Sequence, residues 1–137
     1  IFVYSSGHVQ RNIANELMRL FVYGDKYIIS IKGRDEMRNV VAKAQPDDLF
    51  IIISLSGESA SVVEYAQQLH THQIPVISMT RLRSNSLSRL ATESLYVTIC
   101  KMPCANREGE DYESMLGFFL LVEIWFLSYS QFLSEQE

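Results

Sequence analysis

Short apolar runs and amphipathic stretches alternate along this chain from its first residue. Ile1-Phe2-Val3-Tyr4 reads as a strand, and from about Val9 a helix follows with Ile13, Leu17, Leu20 and Phe21 on one face. Tyr27 to Ile31 is a second strand. Met37, Val40, Val41 and Ala44 mark a second helix, which Pro46-Asp47 closes. Leu49 to Ile53 is unbroken and rich in isoleucine, as expected of a parallel strand covered on both faces. Val62, Val63, Ala66 and Leu69 give the inner face of a third helix. Ile74 to Met79 is a fourth strand, Ser84 to Ala91 a short helix, and Leu95 to Cys100 a fifth strand. Residues 101–110 read as a polar loop, and a long last helix runs from about Asp111 to Phe132. Strands alternating with helices at this spacing predict an α/β three-layer sandwich, a five-stranded parallel sheet with helices on both faces.

The last helix departs from the amphipathic pattern. From Met115 to Leu127 it is apolar nearly all round, broken by Gly117 and Glu123. The run falls short of the roughly 20 apolar residues a bilayer needs, and Glu123 would sit near its middle. No membrane association is expected. A helix apolar on every side must be covered on every side, so one side is expected on the sheet and the other against a partner subunit, giving a homodimer or higher homo-oligomer.

Composition narrows the chemistry. The 137 residues suit one domain with a real core, and 47% hydrophobic against 20% charged residues excludes disorder. Twelve Lys+Arg against sixteen Asp+Glu, a net charge of −4, argue against a grip on nucleic-acid phosphates by this segment itself. A small phosphorylated ligand needs only a local pocket and stays open. Cys100 and Cys104 are too few for a disulfide framework and have no second pair for zinc, so they read as reduced thiols of a cytoplasmic protein. His70 and His72, two apart on a helix, face different ways and form no metal clamp. Neither metal nor cofactor is expected. The chain begins at Ile1, already inside an apolar run, so a fragment preceded by further sequence is expected.

Chemistry concentrates where strands end. Ser54-Leu55-Ser56-Gly57-Glu58-Ser59 follows the central strand and precedes a helix, a setting that offers unpaired N–H groups and hydroxyl donors to an anion. The same serines could serve only as turn and N-cap residues. Position favours the ligand, because open parallel sheets bind at the carboxyl ends of their strands. Three such ends carry hydroxyls here: Ser5-Ser6-Gly7, Ser54 to Ser59, and Thr80 with Ser84 and Ser86. Arg81 and Arg83 follow Thr80 at that edge, as added positive potential or as plain surface residues.

Ser54-Leu55-Ser56-Gly57-Glu58-Ser59 resembles the S-x-S-G-x-[ST] signature of the sugar isomerase (SIS) domain. Ile77-Ser78-Met79-Thr80, with Ser86-Leu87 and Leu90-Ala91 beyond, is similar to that family's next landmark. The resemblance covers roughly residues 1–100 and implies a flavodoxin-like fold whose serine loop holds the phosphate of a phosphosugar. It implies Ser54, Ser56 and Ser59 as hydroxyl donors and Gly57 as the point of close backbone approach. Ser6, Gly7 and His8 in the first loop, Thr80, and Glu113 complete the expected ligand set. The first loop departs from the family's G-x-G-x-S, reading Ser5-Ser6-Gly7-His8-Val9, with Ser6, His8, Gln10 or Arg11 as the candidates to replace the lost contacts.

SIS domains occur in aldose–ketose isomerases and in RpiR-type transcription regulators, where a helix-turn-helix domain precedes one SIS domain. Isomerisation needs a positioned base. Glu58, Glu108, Glu110, Glu113 and His8 are candidates, but none lies in a catalytic signature. The SSGHVQRN and EDYESMLGFFL segments look more like the regulators. The expectation is therefore a non-enzymatic, phosphosugar-sensing effector domain spanning residues 1–137, contacting DNA only through a domain outside this sequence.

Overall fold

The computed structural model describes residues 1–137. Strands β1 (Phe2–Ser5), β2 (Ile29–Ile31), β3 (Phe50–Ile53), β4 (Val76–Arg81) and β5 (Glu93–Val97) form one parallel sheet in the order β2-β1-β3-β4-β5. Helices α1 (His8–Phe21), α2 (Arg34–Lys43), α3 (Ala60–Thr71) and α4 (Ser86–Leu90) connect successive strands. A hairpin of β6 (Lys101–Pro103) and β7 (Asp111–Glu113) then leads into α5 (Leu116–Ser134).

The period of two along each strand sorts the core into two layers. Val3, Ile51, Ile53 and Met79 meet Ile13, Leu17 and Phe118 on the side of α1 and α5. Tyr4, Phe50, Ile52 and Val76 meet Met37, Val62, Leu69 and Leu87 on the side of α2, α3 and α4. All four residues of β3 are buried, as the unbroken apolar run requires. Each fully buried side chain of this size contributes about 1.5–3 kcal/mol, so the central strand is the main apolar anchor of both layers.

This layering places the site. The chain leaves β1 into α1 on one face of the sheet and leaves β3 into α3 on the other. Neighbouring strands whose following helices diverge leave a crevice above their carboxyl ends. The crevice lies between Ser5–Gly7 and Ser54–Ser59.

The last helix follows its expected division in part. Phe118 and Val122 are fully buried against the sheet, and α5 packs on α1 and β5. Phe21 stacks with Tyr129 and meets Trp125 and Phe126 at ring-centroid distances of 5.5–5.6 Å. By length and a mean hydropathy of 1.5, α5 is also long and apolar enough to cross a bilayer. Leu116, Leu120, Ile124 and Leu127 on its outer side are 51–72% exposed.

Several boundaries differ from the sequence reading. β5 begins at Glu93 and ends at Val97, two to three residues early, because Thr92 N–H already donates to the Val76 carbonyl (2.8 Å) and starts the ladder. Residues 101–110 are not wholly loop: Lys101–Pro103 pair antiparallel with Asp111–Glu113. Five of these six residues are exposed, so no alternation of apolar and polar positions betrayed the strands. The last helix consequently starts at Leu116, five residues after Asp111.

Candidate functional site

The serine loop is a folded turn. Ser54 is buried and its Oγ accepts from the Gly57 N–H at 3.2 Å, while Ser56 Oγ accepts from the Glu58 N–H at 3.1 Å. Both are local side-chain-to-backbone bonds that hold a turn in place of regular structure. Gly57 has φ +67°, a left-handed conformation that glycine adopts without steric cost. Its carbonyl accepts from the Leu87 N–H at 3.0 Å, joining the loop to α4.

Helix α4 clamps the loop from the β4 side. Glu58 accepts from both the Ser86 N–H (2.8 Å) and the Ser86 hydroxyl (2.7 Å). Those donors, the hydroxyl foremost and then the N–H, hold the Glu58 carboxyl below the usual carboxylate range, with help from the charge of Arg89. Asn85, buried, donates through Nδ2 to Thr80 Oγ1 and the Arg83 carbonyl (both 2.9 Å) and accepts the Ser88 N–H at Oδ1 (2.8 Å). Thr80 is fully buried and donates its own hydroxyl to the Arg81 carbonyl at 3.1 Å. Here the sequence expectation is corrected: Thr80 faces Asn85 in the interior rather than an open cleft. Asn85 itself was missed, although Asn85-Ser-Leu-Ser88 ahead of Leu90 carries the N-cap pattern that would have marked it.

Two clefts open on either side of the loop. The first, about 170 Å³, lies over the ends of β1, β2 and β3 and is lined by Ser6, Gly7, Arg11, Lys32, Arg34 and Ser59, among others. No carboxylate lines it, and none of its three cations forms an ion pair. Sequence reasoning named Arg11 but passed over Lys32 and Arg34, because Lys-Gly-Arg-Asp reads as an ordinary exposed turn. Tyr4 lies beneath, its phenol raised in pKa by burial and by Tyr65, against the opposing charges of Arg34 and Arg11. The second cleft, about 480 Å³, is lined by Ser56, Glu58, Arg81, Arg83 and Ser84.

The helix N-termini differ in a way that favours the first cleft. At α2 the Glu36 carboxylate accepts from the Lys32 and Gly33 N–H groups, both at 3.2 Å. At α4 Asn85 and Glu58 do the same work. Helices α1 and α3 open at Gly7 and Ser59 without a side-chain cap, and both residues line the cationic cleft. The N–H groups of Ala60, Ser61 and Val62 have no acceptor in the chain. Orphan N–H groups and the positive end of the helix dipole together attract an anion.

The expected residues therefore divide. Ser6, Gly7 and Ser59 meet at the cationic cleft, and Ser56 opens onto the larger one. Ser54 and Gly57 shape the loop from inside and line neither. His8 is exposed on the first turn of α1 and lines neither cleft. Glu113 lines neither, but Arg81 Nη2 grips its two oxygens at 3.1 and 3.2 Å, and Lys101 Nζ lies 3.8 Å away. Arg81 Nε is buried with no acceptor. No group of His, Cys, Asp and Glu side chains is arranged to hold a metal ion.

Known proteins resemble this chain in sequence and fold. Residues 1–102 match the SIS domain family. The HTH-type transcriptional regulator GlvR of Bacillus subtilis is 36% identical over 94% of this chain, which spans 50% of that protein's length. The NanR protein of Vibrio vulnificus, solved as a complex with ManNAc-6P, superposes on 98% of this chain with a TM-score of 0.81 at 22% identity, over 51% of its own length. The sugar isomerase domain of an RpiR transcription factor from Sphaerobacter thermophilus matches 93% of the chain and 67% of its own, with a TM-score of 0.77 and 16% identity. A Listeria monocytogenes protein described as a candidate sugar-phosphate isomerase also shares the fold, with a TM-score of 0.71 at 16% identity over 98% of this chain and 72% of its own.

Proposed function

The chain belongs to the SIS domain family, and from that footing we propose that it is the phosphosugar-sensing effector domain of a bacterial RpiR-type transcription regulator. The observation that carries this reading is the pair of uncapped helix N-termini facing one cleft that holds three unpaired cations and no carboxylate. The phosphate lies there, taken by the Ser6 and Ser59 hydroxyls, the N–H groups that open α3, and Arg11, Lys32 and Arg34. Ser54 and Gly57 keep the loop in shape, and Ser56 faces the sugar in the larger cleft. A volume of about 170 Å³ suits one charged group, whereas pockets that take a whole ligand run to about 300 Å³ or more.

A sensing role is favoured over isomerisation by the state of the candidate bases. Glu58 is committed to α4 and held ionised by Ser86, and Glu113 is gripped by Arg81. A general base works best with its pKa near the operating pH, and the Ser86 donors move the Glu58 carboxyl away from it. The 36% identity to an HTH-type regulator supports the same choice. On this reading the protein is cytoplasmic, pairs with a second copy through the outer side of α5, and touches DNA through a domain outside this sequence. Ligand biases the pair only as far as it binds one arrangement more tightly than the other.

Titration calorimetry against a panel of sugar phosphates, followed by product analysis of the same mixtures, tests the proposal. Saturable binding without conversion is expected. Turnover lost in Glu113→Gln would establish the isomerase reading instead.

A further inference from the structure

Arg81 and Arg83 have no task in the phosphate reading above, yet both line the larger cleft beside Ser56. Arg83 forms no ion pair, and no acceptor is bound to its side chain. Arg81 uses Nη2 for Glu113 and leaves its shielded Nε–H without an acceptor, which is a costly state for a buried donor. The one carboxylate lining this cleft, Glu58, turns both oxygens into the start of α4. The cleft has no hydrophobic lining residue. Such a wall is built for a polar ligand with negative charge at this end as well.

The two clefts can serve one molecule. Ser56 lines one and Ser59 the other, and they are three residues apart on a single turn. That places them no more than about 11 Å apart, within the span of one phosphorylated hexose carrying charged groups at both ends.

We infer that the ligand is doubly anionic: its phosphate occupies the Arg11–Lys32–Arg34 cleft, and a second acidic group, phosphate or carboxylate, is received by Arg81 and Arg83. The inference rests on the phosphosugar reading and names its substrate class. A sugar bisphosphate or a phosphorylated sugar acid fits it, and a hexose monophosphate leaves the second pair of arginines empty.

Calorimetric titration of the full chain with a hexose monophosphate, the matching bisphosphate and phosphogluconate tests the inference. At least one doubly anionic ligand should bind about tenfold or more tightly than the monophosphate, because a hydrogen bond to a charged group is at stake. Preference for the bisphosphate alone assigns a second phosphate, and preference for phosphogluconate assigns a carboxylate. In Arg83→Gln, an exposed position where folding is not at risk, the ratio of affinities should fall toward one. Equal affinity for all three ligands, or a ratio unchanged in Arg83→Gln, overturns the inference while leaving the phosphosugar reading intact. Absence of binding by any phosphorylated sugar overturns both.

Discussion

The carboxamide of Asn85 fills the space where a side chain on Gly57 would stand. A Cβ built on Gly57 would collide with Asn85 Oδ1 and Cγ, and Asn85 cannot withdraw because Thr80, Arg83 and Ser88 hold its amide. The positive φ adds its own penalty for any other residue. Gly57→Ala is therefore expected to destabilise the fold by roughly 2–4 kcal/mol, the sum of strain and overpacking. Urea denaturation measures it, and a loss under about 0.5 kcal/mol, typical of an innocuous surface change, would show that the loop and α4 are not interlocked.

The serines should separate by role. Ser59→Ala removes a hydroxyl from the cationic cleft and should weaken phosphosugar binding about tenfold with little change in stability. Ser54→Ala removes a buried acceptor of the Gly57 N–H and should lower stability by about 1–3 kcal/mol. Calorimetry and denaturation on both variants check the division. Equal binding losses with no change in stability would place both hydroxyls on the ligand.

Glu58 carries a pH dependence of defined sign. Its folded-state pKa is depressed by the Ser86 hydroxyl and N–H, so its contribution is present above the unfolded carboxylate value. That contribution is lost as pH falls through the lower folded value. Stability of the native protein should decline more steeply below about pH 4.3 than that of Glu58→Gln. Parallel curves for the two proteins from neutral pH to pH 3 would remove Glu58 as a clamp on α4.

The outer side of α5 predicts assembly. Leu120 and Ile124 are more than half exposed, and burying such side chains yields about 1.5–3 kcal/mol each. Leu120→Glu should convert a dimer to a monomer in sedimentation at micromolar concentration while the helical circular dichroism is retained. A native protein that is already monomeric under those conditions removes α5 as the contact.

The fold was legible wherever burial imposed a period. The isoleucines of β3 and the spacing of Ile13, Leu17 and Leu20 announced strand and helix because one or both faces had to leave water. The β6–β7 pairing was not legible, since exposed Lys101, Met102 and Asp111 answer to no apolar constraint. The same contrast holds at the site. Ser54 to Ser59 stood out as a local run, whereas Arg11 on α1 and Lys32 and Arg34 at the start of α2 meet only through the β2-β1-β3 order. Thr80 was misplaced because a hydroxyl at a strand end carries no mark of which way it faces; Asn85, three-way bonded beneath it, decides that.

Glu113 stands three residues before Leu116, where α5 begins, and the guanidinium that grips it also lines the larger cleft. A ligand that draws on Arg81 must therefore either share that side chain with the hairpin or take it away. In the first case occupancy stiffens the approach to the last helix; in the second it releases it. Either way the message has one side chain and a few peptide bonds to cross, so a signal from the cleft to the last helix requires no rearrangement of the sheet.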